Sequence, residues 1–187
     1  IGDSGKIIWE DSIFKVYNTT KLFGSFFLHH GKVKNGHFSK KESVTAIIDL
    51  NKRELTKCNH SSTHLLHSSL REVLGNHVSQ KGSLVNNEKL RFDFSHNEPI
   101  SSDNIIKIEN YVKMEITKNS PVNTKIIDHQ KAIDEGAMAL FGEKYGDEVR
   151  VVSMGSKEGE KIFSKELCGG THDNYTGDIN DFKIIKN

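Results

Sequence analysis

The chain has 187 residues, of which 26 are lysine or arginine, 25 are aspartate or glutamate and 35% are hydrophobic. This composition argues against a disordered chain and against a general drive toward nucleic acid. No apolar run approaches the length of a membrane span and no secretory leader is visible, so we expect no membrane partner. Two cysteines are too few for a disulfide framework, which favours a metal or catalytic role for Cys168 in a reducing compartment.

The first 55 residues have the pattern of short β-strands. Runs rich in aromatic and β-branched residues lie at 13–17, 25–29 and 44–50, and glycines separate them at the spacing of turns. We therefore predict a small β-barrel-like subdomain, or a curled sheet, over 1–55.

Residues 56–187 mix helical and strand patterns, which predicts an α+β domain with a largely antiparallel sheet. Helices are predicted over 59–74, with Gly75 as the stop, over 101–119 and over 130–135. Strands are predicted over 77–85, 89–95, 122–127 and 148–154, the last pairing with 161–164.

Two short segments each place two metal-ligand residues four positions apart, namely His60 with His64 and Cys168 with His172. Positions i and i+4 share one face of a helix, and the two glycines between Cys168 and His172 allow a tight loop. One thiolate and three imidazoles suit a single tetrahedral Zn²⁺ ion. The alternative for the histidine pair is an exposed helix face, which the apolar neighbours Leu65 and Leu66 oppose.

Two further residues lie close to the histidine pair. His67 shares much of that helix face, and either an outer-sphere or substrate-facing role or a buried, hydrogen-bonded structural role fits it. Cys58 points elsewhere on a helix, so we interpret it as an incidental thiol.

Five segments resemble the editing domain of bacterial-type alanyl-tRNA synthetase, a family related to free-standing alanyl-tRNA editing proteins. They are residues 59–67 (NHSSTHLLH), 75–83 (GNHVSQKGS), 91–96 (RFDFSH), 136–145 (GAMALFGEKY) and 166–172 (ELCGGTH). The resemblance implies an aminoacyl-tRNA deacylase acting on tRNA(Ala) mischarged with serine or glycine. It also implies Zn²⁺ on His60, His64, Cys168 and His172, a β-barrel over 1–55, and the rest of a synthetase chain as partner.

The chain departs from the family in two places. It begins at Ile1, after the family's Gly-Gly-Gln segment, so we expect a barrel that is incomplete at its N-terminus. Asn180 replaces a usual glycine, which we expect to affect only a turn. No segment resembles an ATP-binding aminoacylation core, and we expect a cytoplasmic protein of bacterial or organellar origin.

Four residues are candidates for catalysis or substrate binding. Thr63 is the candidate for binding the serine hydroxyl through the resemblance, whereas spacing alone favours a bond to a helix carbonyl. Gln80 can position the scissile carbonyl or the attacking water, its alternative being a solvent-facing strand residue. Arg91 and Asp93 share one face of a strand, either as a structural ion pair or facing the pocket.

The role of zinc has two interpretations. Four protein ligands complete a tetrahedron, which favours a positioning role with a water near the metal attacking the ester. The alternative is that one ligand loosens to admit water or the substrate. No Ser–His pair is evident, so a covalent mechanism is disfavoured. Lys52, Arg53, Arg71 and Lys81 are candidate phosphate contacts, with solvated surface charge as the alternative for each.

Other functions stay open at this point. The same fold fits a free-standing trans-editing deacylase or the editing domain of a threonyl-tRNA synthetase. A zinc-stabilised RNA-binding module without catalysis, or a decayed spacer domain, would also keep the fold.

Overall fold

The computed structural model describes residues 2–23, 26–139, 145–155 and 162–185. The chain forms two compact units. The first unit comprises Ile1–Thr56 with Asn86–Glu88, and the second comprises Lys57–Val85 with Lys89–Asn187. No described helix is long and apolar enough to span a membrane.

The first unit contains a four-stranded antiparallel sheet in the order β3-β2-β1-β4. Its strands are β1 (Gly5–Trp9), β2 (Ser12–Leu22), β3 (Phe26–Asn35) and β4 (Thr45–Ile48). The prediction of a barrel is wrong for the described residues, because β3 and β4 lie at opposite edges and do not pair. A sheet closes only when its edge strands meet with a consistent tilt and stagger.

The strands predicted at 13–17 and 25–29 lie within β2 and β3, although Ser25 lies outside the described residues. The strand predicted over 44–50 is shorter, because Asp49 begins a helix: its Oδ1 accepts a hydrogen bond from the Lys52 amide at 3.2 Å. β1 was not predicted.

Helix α1 (Leu50–Leu74) starts nine residues before the predicted start at Asn59, and it ends before Gly75, whose φ of 111° only glycine adopts easily. The residues missed by the prediction, 50–58, are mostly polar and lack an apolar stripe. The middle of α1, residues 61–70, is buried.

The second unit adds two helices, two antiparallel sheets and a 3₁₀ turn, which confirms the mixed helix and antiparallel-sheet composition. The elements are β5 (Gln80–Val85), β6 (Leu90–Phe94), α2 (Ser102–Lys118), β7 (Asn123–Asp128), α3 (His129–Asp134), β8 (Glu148–Met154), β9 (Ser164–Leu167) and the turn Thr176–Ile179. β5 pairs with β6, and β8 lies between β7 and β9. Lys161, the predicted start of the last strand, and residues 140–144 lie outside the described residues.

Strand β8 is buried on both faces because alternate side chains enter two different cores. Val152 and Met154 pack with Leu65 of α1 and Ile108 of α2. Val149 and Val151 pack with the smaller cluster that includes Leu167. β9 leads from this doubly buried sheet directly into Cys168, so the loop that follows has a rigid base.

The substitution at Asn180 lies in a turn, as predicted. Its φ is 67°, a value that glycine adopts most easily and that asparagine tolerates better than most residues. The Asn180 side-chain amide donates to the carbonyl of Asp178 at 3.0 Å, which anchors the turn.

Candidate metal centre

The structure brings the four predicted ligands together. His60 and His64 lie one turn apart on α1, while Cys168 and His172 lie on the loop after β9, and their ligand atoms all lie within 4.8 Å of one another. The Cys168 Sγ is 3.5 Å from His60 Nε2 and 3.4 Å from His172 Nε2. Tetrahedral zinc, with typical bonds to sulfur and nitrogen, separates such a pair by about 3.6 Å. The donor set and its spacing therefore fit a zinc-sized ion.

Each of the three imidazoles has an oxygen beside its Nδ1. His60 Nδ1 lies 3.1 Å from the carbonyl oxygen of Thr171, and His172 Nδ1 lies 3.4 Å from Ser61 Oγ. His64 Nδ1 lies 3.0 Å from Glu166 Oε2, an ion-pair distance without the alignment of a good hydrogen bond. A proton held at Nδ1 leaves Nε2 of each ring for a metal ion.

Glu166 contacts the candidate ligand His64, and sequence reasoning did not single it out. Its carboxylate is buried between two imidazoles: Oε2 lies against His64, and Oε1 accepts a hydrogen bond from His67 Nδ1 at 3.0 Å. A single glutamate has no spacing signature, so its position two residues before Cys168 was the only available signal. His67 is thus buried and hydrogen-bonded, which was one of its predicted roles, and its ring packs against Phe92.

The pKa values follow from opposing charges in a buried site. Burial disfavours the charged forms of His64 and Glu166, but their mutual attraction prevails. It raises the pKa of His64 to about 10 and lowers the pKa of Glu166 to about 2.

The raised pKa of His64 favours its protonated form, whereas two other ligands are shifted toward the forms that bind metal. Burial alone would raise the pKa of Cys168, yet hydrogen bonds from His172, His60 and His64 lower it to about 3. Burial lowers the pKa of His172 to about 4. A thiolate and a neutral imidazole are the forms that bind metal, so both are ready at neutral pH.

The two glycines of the loop have different surroundings. A Cβ on Gly170 would lie 2.0 Å from His60 Cε1, whereas a Cβ on Gly169 would meet nothing within 4 Å. Only Gly170 is therefore required by the close approach of the His60 ring. Arg150 of β8 holds the loop by donating from Nη1 to the carbonyls of Cys168 at 2.8 Å and Gly170 at 2.6 Å.

A polar cavity of about 390 Å³ lies beside this loop. It is lined by Val122, Thr124, Arg150 and residues 169–174, so His172 contributes both to the ligand set and to the cavity wall. A cavity of this size accommodates a small ligand or the end of a larger one.

The predicted substrate-binding residues are less tightly grouped. Thr63 Oγ1 donates to the carbonyl of Asn59 at 2.8 Å, the local bond that spacing alone favours, and keeps lone pairs that can accept. Gln80 is half-buried at a β-bulge opposite Phe94. Arg91 Nε and Asp93 Oδ1 form an exposed ion pair at 3.0 Å. In the described part of the chain, no hydrogen bond or ion pair joins Gln80, Arg91 or Asp93 to the four ligands.

Two of the predicted phosphate contacts already have partners within the chain. Arg53 Nη1 pairs with Asp3 at 2.9 Å, and Arg71 Nη1 donates to the carbonyls of Asn76 and Val78 at 2.7 Å each. Both guanidinium groups therefore have structural contacts that any RNA phosphate would compete with or share.

Comparison with known proteins identifies the class of domain. The family described as the threonyl and alanyl tRNA synthetase second additional domain matches residues 149–187, which include most of β8, all of β9 and the ligand loop. This part of the second unit is therefore similar to a domain of these two synthetases.

The alanyl type follows from individual relatives. The chain is 53% identical to the alanine–tRNA ligase of Pseudomonas syringae pv. tomato over 185 residues, covering 99% of this chain and 20% of that protein. It is 49% identical to the ligase of Nitrosomonas europaea over 184 residues, covering 98% of this chain and 21% of that protein. It is 51% identical to the ligase of Chelativorans sp. over 189 residues, covering 99% of this chain and 21% of that protein. The chain is thus similar over almost its whole length to bacterial alanine–tRNA ligases and spans about a fifth of these relatives, which confirms the predicted resemblance.

Proposed function

We propose that the chain hydrolyses the ester of tRNA(Ala) mischarged with serine or glycine, as the cytoplasmic editing domain of an alanine–tRNA ligase. The observation that carries this proposal is the convergence of His60, His64, Cys168 and His172 beside an open polar cavity, in a domain of the alanyl type. The partners would be the mischarged tRNA and the rest of the synthetase chain.

The need for such an activity follows from the physics of small pockets. A site shaped for alanine rejects serine weakly, since serine adds only a hydroxyl, and rejects glycine weakly, since glycine is smaller. A second site that hydrolyses the wrong ester supplies the missing discrimination. It can also use the serine hydroxyl, which alanine lacks, as a hydrogen-bonding handle.

Zn²⁺ is the ion we assign to the four ligands. When bound, it supplies a positive charge that ties α1 to the ligand loop and favours negative charge in the adjacent cavity. Glu166, to which His67 donates a hydrogen bond, holds the His64 ring from behind. The contacts of Arg150 keep the loop carbonyls of Cys168 and Gly170 fixed at the cavity wall.

The remaining steps fall to polar side chains of the chain. The Thr63 oxygen accepts a hydrogen bond from the serine hydroxyl of the substrate, while the Thr63 hydroxyl still donates its own proton to the Asn59 carbonyl oxygen. Gln80 donates to the scissile carbonyl or orients the attacking water. Water adds to the ester carbonyl, the bond to the ribose oxygen breaks, and free amino acid and tRNA leave.

Deacylation of Ser-tRNA(Ala) by the wild type and by the variants Cys168→Ala and Gln80→Ala tests the proposal, with metal content measured in each. We expect Cys168→Ala to lose metal and activity together, and Gln80→Ala to lose activity while keeping metal. Asn86→Ala, a change in the β5–β6 turn, is the control and is expected to keep both. Activity that persists in both site variants would disprove the assignment, and faster hydrolysis of Ser-tRNA(Thr) would favour the threonyl type.

A second candidate is a zinc-stabilised RNA-binding module without catalysis. The closed set of four protein ligands favours it, because structural zinc sites have this composition. This candidate predicts tight binding of charged tRNA, no acceleration of deacylation, and unfolding of the second unit on chelation. A free-standing deacylase differs from the main proposal only in needing no other synthetase domain.

A further inference from the structure

The charge of the sheet in the first unit differs sharply from that of the whole chain. Its four strands contain five lysines and two histidines, but no aspartate or glutamate. The chain as a whole is almost balanced, with 26 basic and 25 acidic residues. The carboxylates of this unit all lie outside its strands, so every charged residue in the strands is basic.

Three of these lysines form a row across the sheet. Lys6 of β1 is directly opposite Lys15 of β2, and Lys15 is directly opposite Lys32 of β3. Residues directly opposite in a sheet project from the same face with neighbouring side chains, and like charges at such positions destabilise the sheet. The row is therefore unfavourable for folding by itself.

No carboxylate in the described part of the chain neutralises this row. Lys6, Lys15 and Lys32 are exposed, and none of the three is in an ion pair among the described residues. The neighbouring Val16 is buried and points to the opposite face, so the lysine row occupies the solvent face of the sheet. Three uncompensated ammonium groups side by side match a ligand that carries several negative charges.

Aromatic and imidazole groups accompany the row. The Lys15 ammonium lies 5.8 Å from the centre of the exposed Tyr17 ring. His30 lies two positions before Lys32 on β3, and thus on the same face. Cations interleaved with exposed rings are typical of surfaces that follow a nucleic-acid backbone and stack on unpaired bases.

We infer that this lysine face, defined by Lys6, Lys15 and Lys32, binds the phosphate backbone of RNA. The inference rests on the proposed function, in which the substrate is a tRNA that must be held while its ester is hydrolysed. Lysine acts here as a point charge, so the contacts give affinity and position without reading sequence. The predicted contacts Lys52, Arg53, Arg71 and Lys81 are not part of this face.

The test compares two triple variants of the 187-residue chain. The first, Lys6→Gln, Lys15→Gln and Lys32→Gln, removes the row, and the second, Lys40→Gln, Lys107→Gln and Lys125→Gln, removes the same charge from scattered exposed positions. Binding of deacylated tRNA(Ala) is measured at salt concentrations from about 50 to 200 mM, the range over which phosphate contacts weaken strongly.

We expect the row variant to bind at least about tenfold more weakly at the lowest salt, with a salt-dependence slope smaller by about 2 to 3. The scattered variant keeps a slope close to that of the wild type. The row variant melts at or above the wild-type temperature, because the substitutions relieve repulsion, and this result excludes misfolding as the cause.

Three results would overturn the inference: an unchanged slope in the row variant, an equal loss in both variants, or lysine-dependent capture by phosphatidylserine vesicles without any effect on tRNA binding. None of these three results bears on the editing proposal, which can fail on its own. Lysine-dependent tRNA binding by a chain that does not deacylate Ser-tRNA(Ala) would support the RNA face and disprove the editing activity.

Discussion

The two units concentrate charge in opposite ways. The lysine face of the first unit presents charges of one sign to solvent, where water screens them. The candidate metal centre of the second unit buries opposite charges, with Glu166 and the Cys168 thiolate around His64. The exposed charges weaken the fold slightly and are free for a ligand. The buried charges are stable only while every partner is present.

The largest loss of stability is expected from removing a buried charge. Glu166→Ala leaves the imidazoles of His64 and His67 buried without their carboxylate, and we expect the free energy of unfolding to fall by about 3–5 kcal/mol. Glu135→Ala, which removes an exposed partner of Lys165, is the control and should leave the urea transition unchanged. Equal urea transitions for the two variants would show that the buried carboxylate of Glu166 stabilises the fold no more than the exposed one of Glu135.

A smaller effect is expected from the apolar core that supports the centre. Ile108→Ala, at a fully buried position of α2, should lower the free energy of unfolding by about 2–5 kcal/mol through the cavity it creates. Ile47→Ala removes the same atoms from β4, where 43% of the side chain is exposed, and should cost clearly less. Denaturant titration of both variants measures the difference, and similar costs would show that the two sites are packed alike.

The ligand loop gives a test that targets metal binding more than folding. Gly170→Ala places a methyl group against the His60 ring, so we expect metal affinity to fall by at least about tenfold, the lower range for disturbed ligand support. Gly169→Ala, in open space, should bind metal like the wild type. Competition with a chromophoric chelator measures both affinities, and a Gly170 variant with normal affinity would refute the proposed crowding.

The smallest effect, and the one that sharpens the contrast, concerns a single exposed lysine. Lys15→Gln relieves repulsion from the lysines on both sides and should raise the free energy of unfolding by a few tenths of a kcal/mol. High salt should shrink this gain because it screens the repulsion in the wild type. Thermal melts at low and high salt measure it, and a loss of stability at low salt would show that Lys15 contributes to the fold.

The features that were predicted correctly depend mostly on residues that are close together in the sequence. The pairs at positions 60 and 64 and at 168 and 172 follow from ligand spacing, and the structure brings all four together. α2 was predicted within one residue at each end, and the structure caps it with Ser101 and Asn119. The polar start of α1 has no apolar period and was missed.

Barrel closure and Glu166 lie beyond local patterns for different reasons. Closure depends on whether two strands distant in sequence meet, and no local pattern records that. The role of Glu166 depends on where α1 places His64 and His67, which only the assembled core determines.

Helix α1 carries two sets of residues that must keep a fixed angle to each other around the helix axis. His60 and His64 face the ligand loop, while Leu65, Leu66 and Leu70 enter the core. Because an α-helix turns about 100° per residue, one residue inserted after His64 would swing both imidazoles a quarter-turn away while the leucines stayed in place. This stretch of the gene therefore tolerates exchanges of residue type far better than changes of length.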